Sequence, residues 1–325
     1  WDSAIVAFAP SSVWRPRSAS APSCQTYPEL ASTHVVATTS SVGTILGQQN
    51  RTMASYRSTG AGEPRVVEAP DVILYAGALE RLSGLAVRAI SLGPKCPSVL
   101  NIDAVILPST LRSAGCHGRL LWLDIDERIL IVNVGQHVRI TLAQPDVRYV
   151  ALRLDMVDGK SVYVSDRRRF VTSRIVDPSE VRRMIAVMGP SVMDVDGDRD
   201  PTDIINRACS VERSIAEALH DPTVIAGIGQ RIASEALLAA GVSPWRPVSQ
   251  VHRSEWRALL TAAHVEAHRA LSIGLMASTH EAMPTLAWQL PTVSYGRTHL
   301  ADGTRLIREQ CVSGWSLTWA PGVQR

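Results

Sequence analysis

Residues 221–247 decide the fold of this chain, and they read DPTVIAGIGQRIASEALLAAGVSPWRP. An apolar segment runs into Gly227-Ile228-Gly229, and apolar residues then recur at helical spacing. This pattern predicts a helix that Gly241 ends and that Pro244 keeps from resuming. Two glycines before a helix let backbone N–H groups approach an anion, and the start of a helix carries positive partial charge. The stretch therefore predicts a phosphate-binding corner, with a plain tight turn between helices as the alternative.

The composition is that of a mildly basic globular chain. Its 325 residues, of which 46% are hydrophobic, suffice for two or three modules with a buried core. No apolar run reaches the roughly 18 residues that span a bilayer, so we expect no membrane partner. The net charge of +3 permits a nucleic-acid partner without requiring one. The five cysteines are scattered and form no Cys-x-x-Cys pair, which argues against a disulfide framework and a zinc module.

Residues 1–66 differ from the rest of the chain. They are rich in Ser, Ala, Thr and Arg, and their acidic residues are Asp2, Glu29 and Glu63. This composition is typical of organelle transit sequences and predicts a location in the mitochondrial matrix. We expect protein neighbours in a large assembly to order this basic extension, with a disordered tail as the alternative. The chain begins at Trp1 rather than at methionine, so processing or truncation stays open.

One helix, a series of short strands and several further helices predict an α+β protein with a β-sandwich. The first helix is predicted between Val67 and Gly84, where Pro70-Asp71 suits a helix start. Strands are predicted over Val87–Leu92, Ala104–Leu107, Leu120–Ile125, Ile129–Val134, Val138–Leu142, Tyr149–Met156, Ser161–Val164 and Phe170–Ile175. Helices are predicted over Glu180–Met188, Thr202–Leu219, Val224–Ala240 and Ser254–Leu275, and a hairpin is predicted within 279–325.

Several segments together resemble the formamidopyrimidine-DNA glycosylase and endonuclease VIII family. Ile225–Glu235 with Gly241–Pro244 resembles its helix-two-turn-helix, and Gln230 stands where the family has an asparagine that helps to hold a DNA phosphate. Further matching segments are Glu68–Val72, Gly118–Leu123, Asp166–Phe170 and Tyr295–Arg297. The resemblance covers residues 67–325. It implies that a β-sandwich domain (67–176), a helix-two-turn-helix domain (177–276) and a zinc-less finger (277–325) follow the extension (1–66).

The resemblance also implies a reaction for which this chain lacks one residue. In the family, the amine of a processed N-terminal proline attacks C1′ of a damaged nucleotide and forms a Schiff base. The matching residue is Val67, whose nitrogen inside the chain is an amide and cannot attack. Cleavage just before Val67 would expose a primary amine.

Two remnants of this site remain. Glu68 matches the family's acid–base glutamate, although an acidic residue also suits the first turn of a helix. Arg119 matches a conserved lysine, and it keeps the positive charge without the chemistry of an amine.

The DNA-contacting residues that the resemblance implies are partly replaced. Gln136 stands in place of an apolar wedge, and Trp315 in place of a hairpin arginine. The second cysteine pair of the zinc-bearing finger aligns with Ala320 and Val323. Residues 167–170 predict a basic turn that meets phosphates, with a solvated turn around a core Phe170 as the alternative. The predicted nucleic-acid-binding residues are Gly227, Gly229, Gln230, Arg231, Arg119, Arg167, Arg168 and Arg169.

We predict no metal, no cofactor and no small-molecule substrate. His264 and His268 lie four residues apart on a predicted helix, which is a possible metal pair. A core or surface role is favoured for them, because the metalloprotease glutamate position is missing.

Two classes of function follow. The altered residues favour a catalytically inactive nucleic-acid-binding protein, and the extension favours an RNA-binding component of a mitochondrial ribosome, with rRNA preferred over DNA. The alternative is an active DNA glycosylase and AP lyase that excises oxidised bases.

Overall fold

The computed structural model describes residues 67–93, 105–134, 138–167, 169, 171–195, 200–277, 290–312 and 314–325. The helices are α1 (Ala69–Glu80), α2 (Pro178–Val187), α3 (Thr202–Ala208), α4 (Ile215–His220), α5 (Gln230–Ala240) and α6 (Arg253–Ala277). The strands are β1 (Ala86–Leu92), β2 (Ser109–His117), β3 (Leu120–Ile125), β4 (Arg128–Asn133), β5 (Val138–Thr141), β6 (Val150–Met156), β7 (Ser161–Asp166), β8 (Thr172–Val176), β9 (Ile307–Gln310) and β10 (Ser316–Trp319). This order confirms the predicted α+β class.

Strands β1 to β8 form one antiparallel sheet in the order β5-β7-β6-β1-β2-β3-β4-β8. Its two halves are joined by the short pairing of Ala86 with Thr110 and of Val87 with Ser109. The halves enclose an apolar core into which α1 inserts Tyr75 and Leu79. Alternation in β3 sends Leu121 and Leu123 into this core and leaves Leu120 and Trp122 on the outer face, against α2. The predicted sandwich is therefore two halves of one continuous sheet.

Strand β2 corrects one prediction. Val105–Leu107 is not a strand, whereas Ser109–His117, where no strand was predicted, pairs with β3 along most of its length. Only Leu111 of β2 is fully buried, so its sequence lacks the apolar alternation by which strands are recognised.

The predicted helix over 202–219 is two helices, α3 and α4. Ser214 interrupts it, because its Oγ accepts the N–H of Glu217 at 3.3 Å while Glu217 Oε2 accepts the N–H of Ser214 at 3.1 Å. This reciprocal capping box starts a new helix at Ile215.

Helix α5 begins later than predicted, at Gln230, because Asp221–Gly229 forms turns. Its end at Gly241 is confirmed, since that residue adopts the left-handed conformation (φ 67°) and its N–H bonds to the Leu238 carbonyl at 3.0 Å. The buried face of α5 joins α6 in a second core around Trp256.

The finger hairpin β9–β10 docks on α5 and on the residues that follow it. The Thr318 N–H donates to Ser234 Oγ at 3.1 Å, and the Gln324 amide donates to the Val242 carbonyl at 2.9 Å. At the place of the second cysteine pair, the N–H of Val323 bonds to the Ala320 carbonyl at 3.0 Å. Backbone hydrogen bonds thus close this turn.

No helix among the described residues has the length and apolarity to cross a membrane.

Candidate nucleic-acid interface

A cleft of about 430 Å³ lies between the outer face of β3, β4 and β8 and the turn that precedes α5. Its apolar lining comes from Leu120, Ile131, Met184, Met188, Pro222, Ile225 and Ile228. Its polar lining comes from Arg119, Asn133, Thr172, Ser173, Arg174 and His220. Two guanidinium groups and several neutral hydrogen-bonding groups around an apolar floor suit a sugar-phosphate chain.

Glu68 joins the start of α1 to the start of α5. Its Oε1 accepts the backbone N–H groups of Arg231 at 3.1 Å and Ile232 at 3.0 Å. Its own N–H donates to Asp71 Oδ2 at 2.9 Å, which completes a capping box on α1. The carboxylate is fully buried. Glu68 therefore caps the first turns of both α1 and α5, whereas the sequence predicts a place for it at the first turn of α1 alone.

The turn before α5 is shaped by close packing on α1. A Cβ on Gly229 would lie 2.6 Å from both Cγ and Oε1 of Glu68. Gly227 has φ +95°, and a Cβ there would lie 2.4 Å from the Cβ of Ala69. Both glycines are thus required by the contact between the two helix starts.

This contact corrects the predicted phosphate corner in one respect. The N–H groups of Arg231 and Ile232, which would face a bound anion, already bond to Glu68. Within the described part of the chain, no hydrogen bond uses the N–H groups of Gly229 or Gln230. Those two groups are the donors that remain for a phosphate.

The electrostatics of Glu68 reflect opposing effects. Burial raises the pKa of Glu68 from 4.5 to about 7, and the guanidinium of Arg231 opposes this rise. Arg231 Nη2 lies 2.7 Å from Glu68 Oε2. A carboxyl group with a pKa near neutrality can both give and take a proton at physiological pH.

Arg119 reaches the cleft from the turn between β2 and β3. Its guanidinium carbon lies 5.0 Å from the ring centroid of Trp315, and His220 stacks on the same indole at 4.6 Å between centroids. Burial lowers the pKa of the Arg119 guanidinium from its usual value. Sandwich, helical domain and finger therefore meet at one indole, at the position that the family resemblance gives to an arginine.

His220 is a cleft residue that the sequence did not reveal. Its Nδ1 lies 2.7 Å from the Ala216 carbonyl, and burial lowers the pKa of His220 to about 4, so the ring is neutral near pH 7. The buried Nε2 has no hydrogen-bond partner among the described residues. The Nδ1 proton is committed to the carbonyl, so Nε2 is left as an acceptor. A histidine at the end of a helix carries no sequence signal for this role.

The other predicted binding residues are placed as follows. Arg231 is not at the surface, because its guanidinium is buried between Glu68 and Glu266, and this corrects its predicted role as a phosphate ligand. Gln230 is buried at the start of α5. Arg167 and Arg169 are exposed, and Arg167 lies over the ring of Tyr149. Predictions for Gln136, Arg168 and Phe170 fall outside the described residues.

The two histidines of the possible metal pair bond to backbone carbonyls. His264 Nδ1 lies 3.2 Å from the Val192 carbonyl, and His268 Nε2 lies 3.1 Å from that of Met193. No group of three metal-ligating side chains occurs among the residues that the structure describes.

Val67 is 1% exposed and belongs to the sandwich core beside Glu68. The residue at which the resemblance places the nucleophile is therefore buried in the core, directly before Glu68 in the chain.

The curated proteins that this chain resembles include formamidopyrimidine-DNA glycosylases from several bacteria. The formamidopyrimidine-DNA glycosylase of Geobacter metallireducens is 30% identical over 199 residues, which are 58% of this chain and 73% of that protein. That of Alkalilimnicola ehrlichii is 25% identical over 264 residues, which are 75% of this chain and 92% of that protein. No protein-family profile matches the chain.

Solved structures share the fold. The Lactococcus lactis Fpg in complex with DNA that contains an abasic site superposes with a TM-score of 0.68 at 19% identity, over 79% of this chain and 99% of that chain. The MutM (Fpg) protein of Thermus thermophilus superposes with a TM-score of 0.67 at 21% identity, over 79% of this chain and 98% of that one.

Proposed function

Because the chain belongs to the formamidopyrimidine-DNA glycosylase family, we propose that it is a DNA glycosylase and AP lyase acting on oxidised bases. The nucleophile is the α-amino group of Val67 after cleavage of the peptide bond that precedes it. The observation that carries the proposal is the fully buried carboxyl group of Glu68, which directly follows this residue in the chain and accepts two backbone N–H groups at the start of α5. Burial raises its pKa to about 7. Burial of a carboxyl group favours its protonated form, which is the form that donates a proton.

The proposed chemistry needs one amine and one proton carrier. The neutral amine of Val67 attacks C1′, and the bond from C1′ to the base breaks with its electron pair leaving on the base, which takes up the proton that the attacking nitrogen loses. The lone pair of this nitrogen then forms the C=N bond of a Schiff base as the C1′–O4′ bond breaks, and the nitrogen becomes positively charged. O4′ receives the proton of Glu68, whose carboxylate is left to accept a proton later.

A primary amine is adequate for this role. An α-amino group has a pKa of about 7.7–8.0, so a useful fraction is neutral at physiological pH. Lysine amines form Schiff bases by the same chemistry. The replacement of proline by valine is therefore compatible with activity, provided that residues 1–66 are removed.

The cleft and the helix start that follows its lining turn bind DNA in this proposal. Arg119 lines the cleft and offers a fixed positive charge, and the N–H groups of Gly229 and Gln230 offer neutral donors at the start of α5. Arg167 and Arg169 add exposed positive charge beyond strand β7. These groups bind sugar-phosphate in any sequence, which suits an enzyme that recognises damage.

The inactive, RNA-binding reading stays a prediction, as do the mitochondrial location and the ribosomal partner. It rests on residues 1–66 and on the replacements at Val67, Gln136 and Trp315. The relatives are named as DNA glycosylases, and the Lactococcus lactis structure is a DNA complex, which favours DNA over rRNA.

Borohydride trapping tests the proposal. A specific protease site placed immediately before Val67 allows the same preparation to be assayed uncut and cut on duplex DNA with an abasic site. We expect a covalent adduct only after cutting, and its loss when the new amine is acetylated. The matched control is Glu68→Gln, which keeps the amine and lacks the titrating carboxyl group. No adduct from the cut, folded protein would refute the proposal.

A further inference from the structure

Arg231 lies at the centre of a buried series of alternating charges. Its Nη2 is 2.7 Å from Glu68 Oε2, and its Nη1 contacts Glu266 Oε1. Arg269 continues the series, with Nε 2.7 Å from Glu266 Oε2 and Nη2 2.7 Å from the Pro291 carbonyl. The side chain of Arg231 is 12% exposed and that of Glu68 is fully buried.

Packing alone does not explain an arginine at this position. A buried guanidinium loses its hydration, and apolar residues of similar volume are often as stable or more stable at such sites. Ile232 and Ala236 on the buried face of α5 are apolar, whereas Ser234 and Glu235, three and four residues after Arg231, are buried polar residues. The charge of Arg231 therefore calls for a reason outside the stability of the helix.

We propose that Arg231 is the positioning residue of Glu68: its guanidinium fixes the second carboxylate oxygen and supplies the positive charge that lets this buried group ionise. The inference rests on the proposed function, because only an acid that can lose and regain its proton serves that reaction. Arg231 touches neither the amine nor the cleft, so it acts through Glu68.

Among the charged groups around Glu68, Arg231 is the one that most favours its ionisation. Asp71 from α1 and Glu266 from α6 both oppose the ionisation of Glu68, as burial does. Arg119 on the far side interacts with Glu68 but makes no ion pair with it among the described residues. Glu235, on α5 itself, acts on Arg231. Without Arg231, the nearest charges facing Glu68 are negative, and the carboxyl group would hold its proton well above neutral pH.

The carboxyl carbon of Glu68 can be titrated directly in the full-length chain. The protein is labelled with ¹³C at the glutamate carboxyl carbon, and the Glu68 signal is assigned as the one lost in Glu68→Gln. We expect Arg231→Met to raise the titration midpoint by about 1 to 3 pH units, the usual effect of losing an adjacent opposite charge. Arg231→Lys keeps the charge and should leave the midpoint near that of the unmodified chain.

Glu266→Gln gives an effect of opposite sign. It removes a negative charge near Glu68 and leaves Arg231 paired with Glu68 alone, so the midpoint should fall below that of the unmodified chain. If Arg231→Met does not fold, Arg231→Lys and Glu266→Gln still decide the question. An unchanged midpoint in Arg231→Met, or no fall in Glu266→Gln, would overturn the inference.

This titration needs no catalytic activity. Failure of the trapping experiment with the expected shifts would count against the proposed function alone. Successful trapping with unshifted midpoints would count against Arg231 alone.

Discussion

Replacing Glu68 with glutamine should change how the stability of the protein depends on pH. The pKa of Glu68 is raised from 4.5 to about 7 by burial, so folding favours the protonated carboxyl group. The associated stability is fully present below pH 4.5 and is lost as the pH rises through 7. At about 1.4 kcal/mol per pH unit, this loss amounts to about 3 kcal/mol. Glutamine cannot ionise and therefore lacks this dependence.

The measurement is urea denaturation of both proteins at several pH values between 4.5 and 8. The unmodified chain should lose about 3 kcal/mol of unfolding free energy relative to Glu68→Gln across this range. A constant offset between the two is expected as well, because an amide pairs poorly with Arg231. Glu127→Gln, in an exposed turn, controls for the removal of one surface charge. Parallel curves for the unmodified chain and Glu68→Gln would refute the reasoning.

Further expectations concern packing and the finger. Gly229→Ala should destabilise the protein by about 1–3 kcal/mol in urea denaturation, because the new Cβ meets Glu68, whereas Gly77→Ala meets nothing within 4 Å and should not. Trp315→Ala should lower the unfolding free energy by about 1 kcal/mol through the lost ring stack, and Trp315→Phe should keep most of it. Ser234→Ala leaves a buried hairpin N–H without its acceptor, which should cost about 1–3 kcal/mol and speed hydrogen exchange at that amide. Addition of a chelator should leave the melting temperature unchanged; a drop would reveal a metal ligand set absent from the described residues.

The parts of the fold that follow from local periodicity were predictable from sequence. Strand β3 was predicted with its observed limits, and the end of α5 at Gly241 follows from the chemistry of glycine. Strand β2 was missed because only one of its residues is fully buried, so tertiary pairing and not apolar pattern makes it a strand.

The sequence predicts which residues belong to the candidate site, but not which of them contact each other. Glu68 and Arg119 were identified by resemblance, and the structure adds their partners. That Glu68 fills the start of α5 depends on a contact across 163 positions of the chain, to Arg231, which no local pattern encodes. The sequence also predicts Arg231 as a phosphate ligand, because it follows two glycines. The structure shows it as a buried partner of Glu68, and no local pattern encodes that contact.

The way the hairpin is attached has a thermodynamic consequence. Its strand β10 and the chain terminus bond to Ser234 within α5 and to Gly241 and Val242 just beyond its end. A zinc finger is a small cooperative unit of its own, folded by its ion. Here the finger shares its free energy with the helical domain, so both should melt in one transition.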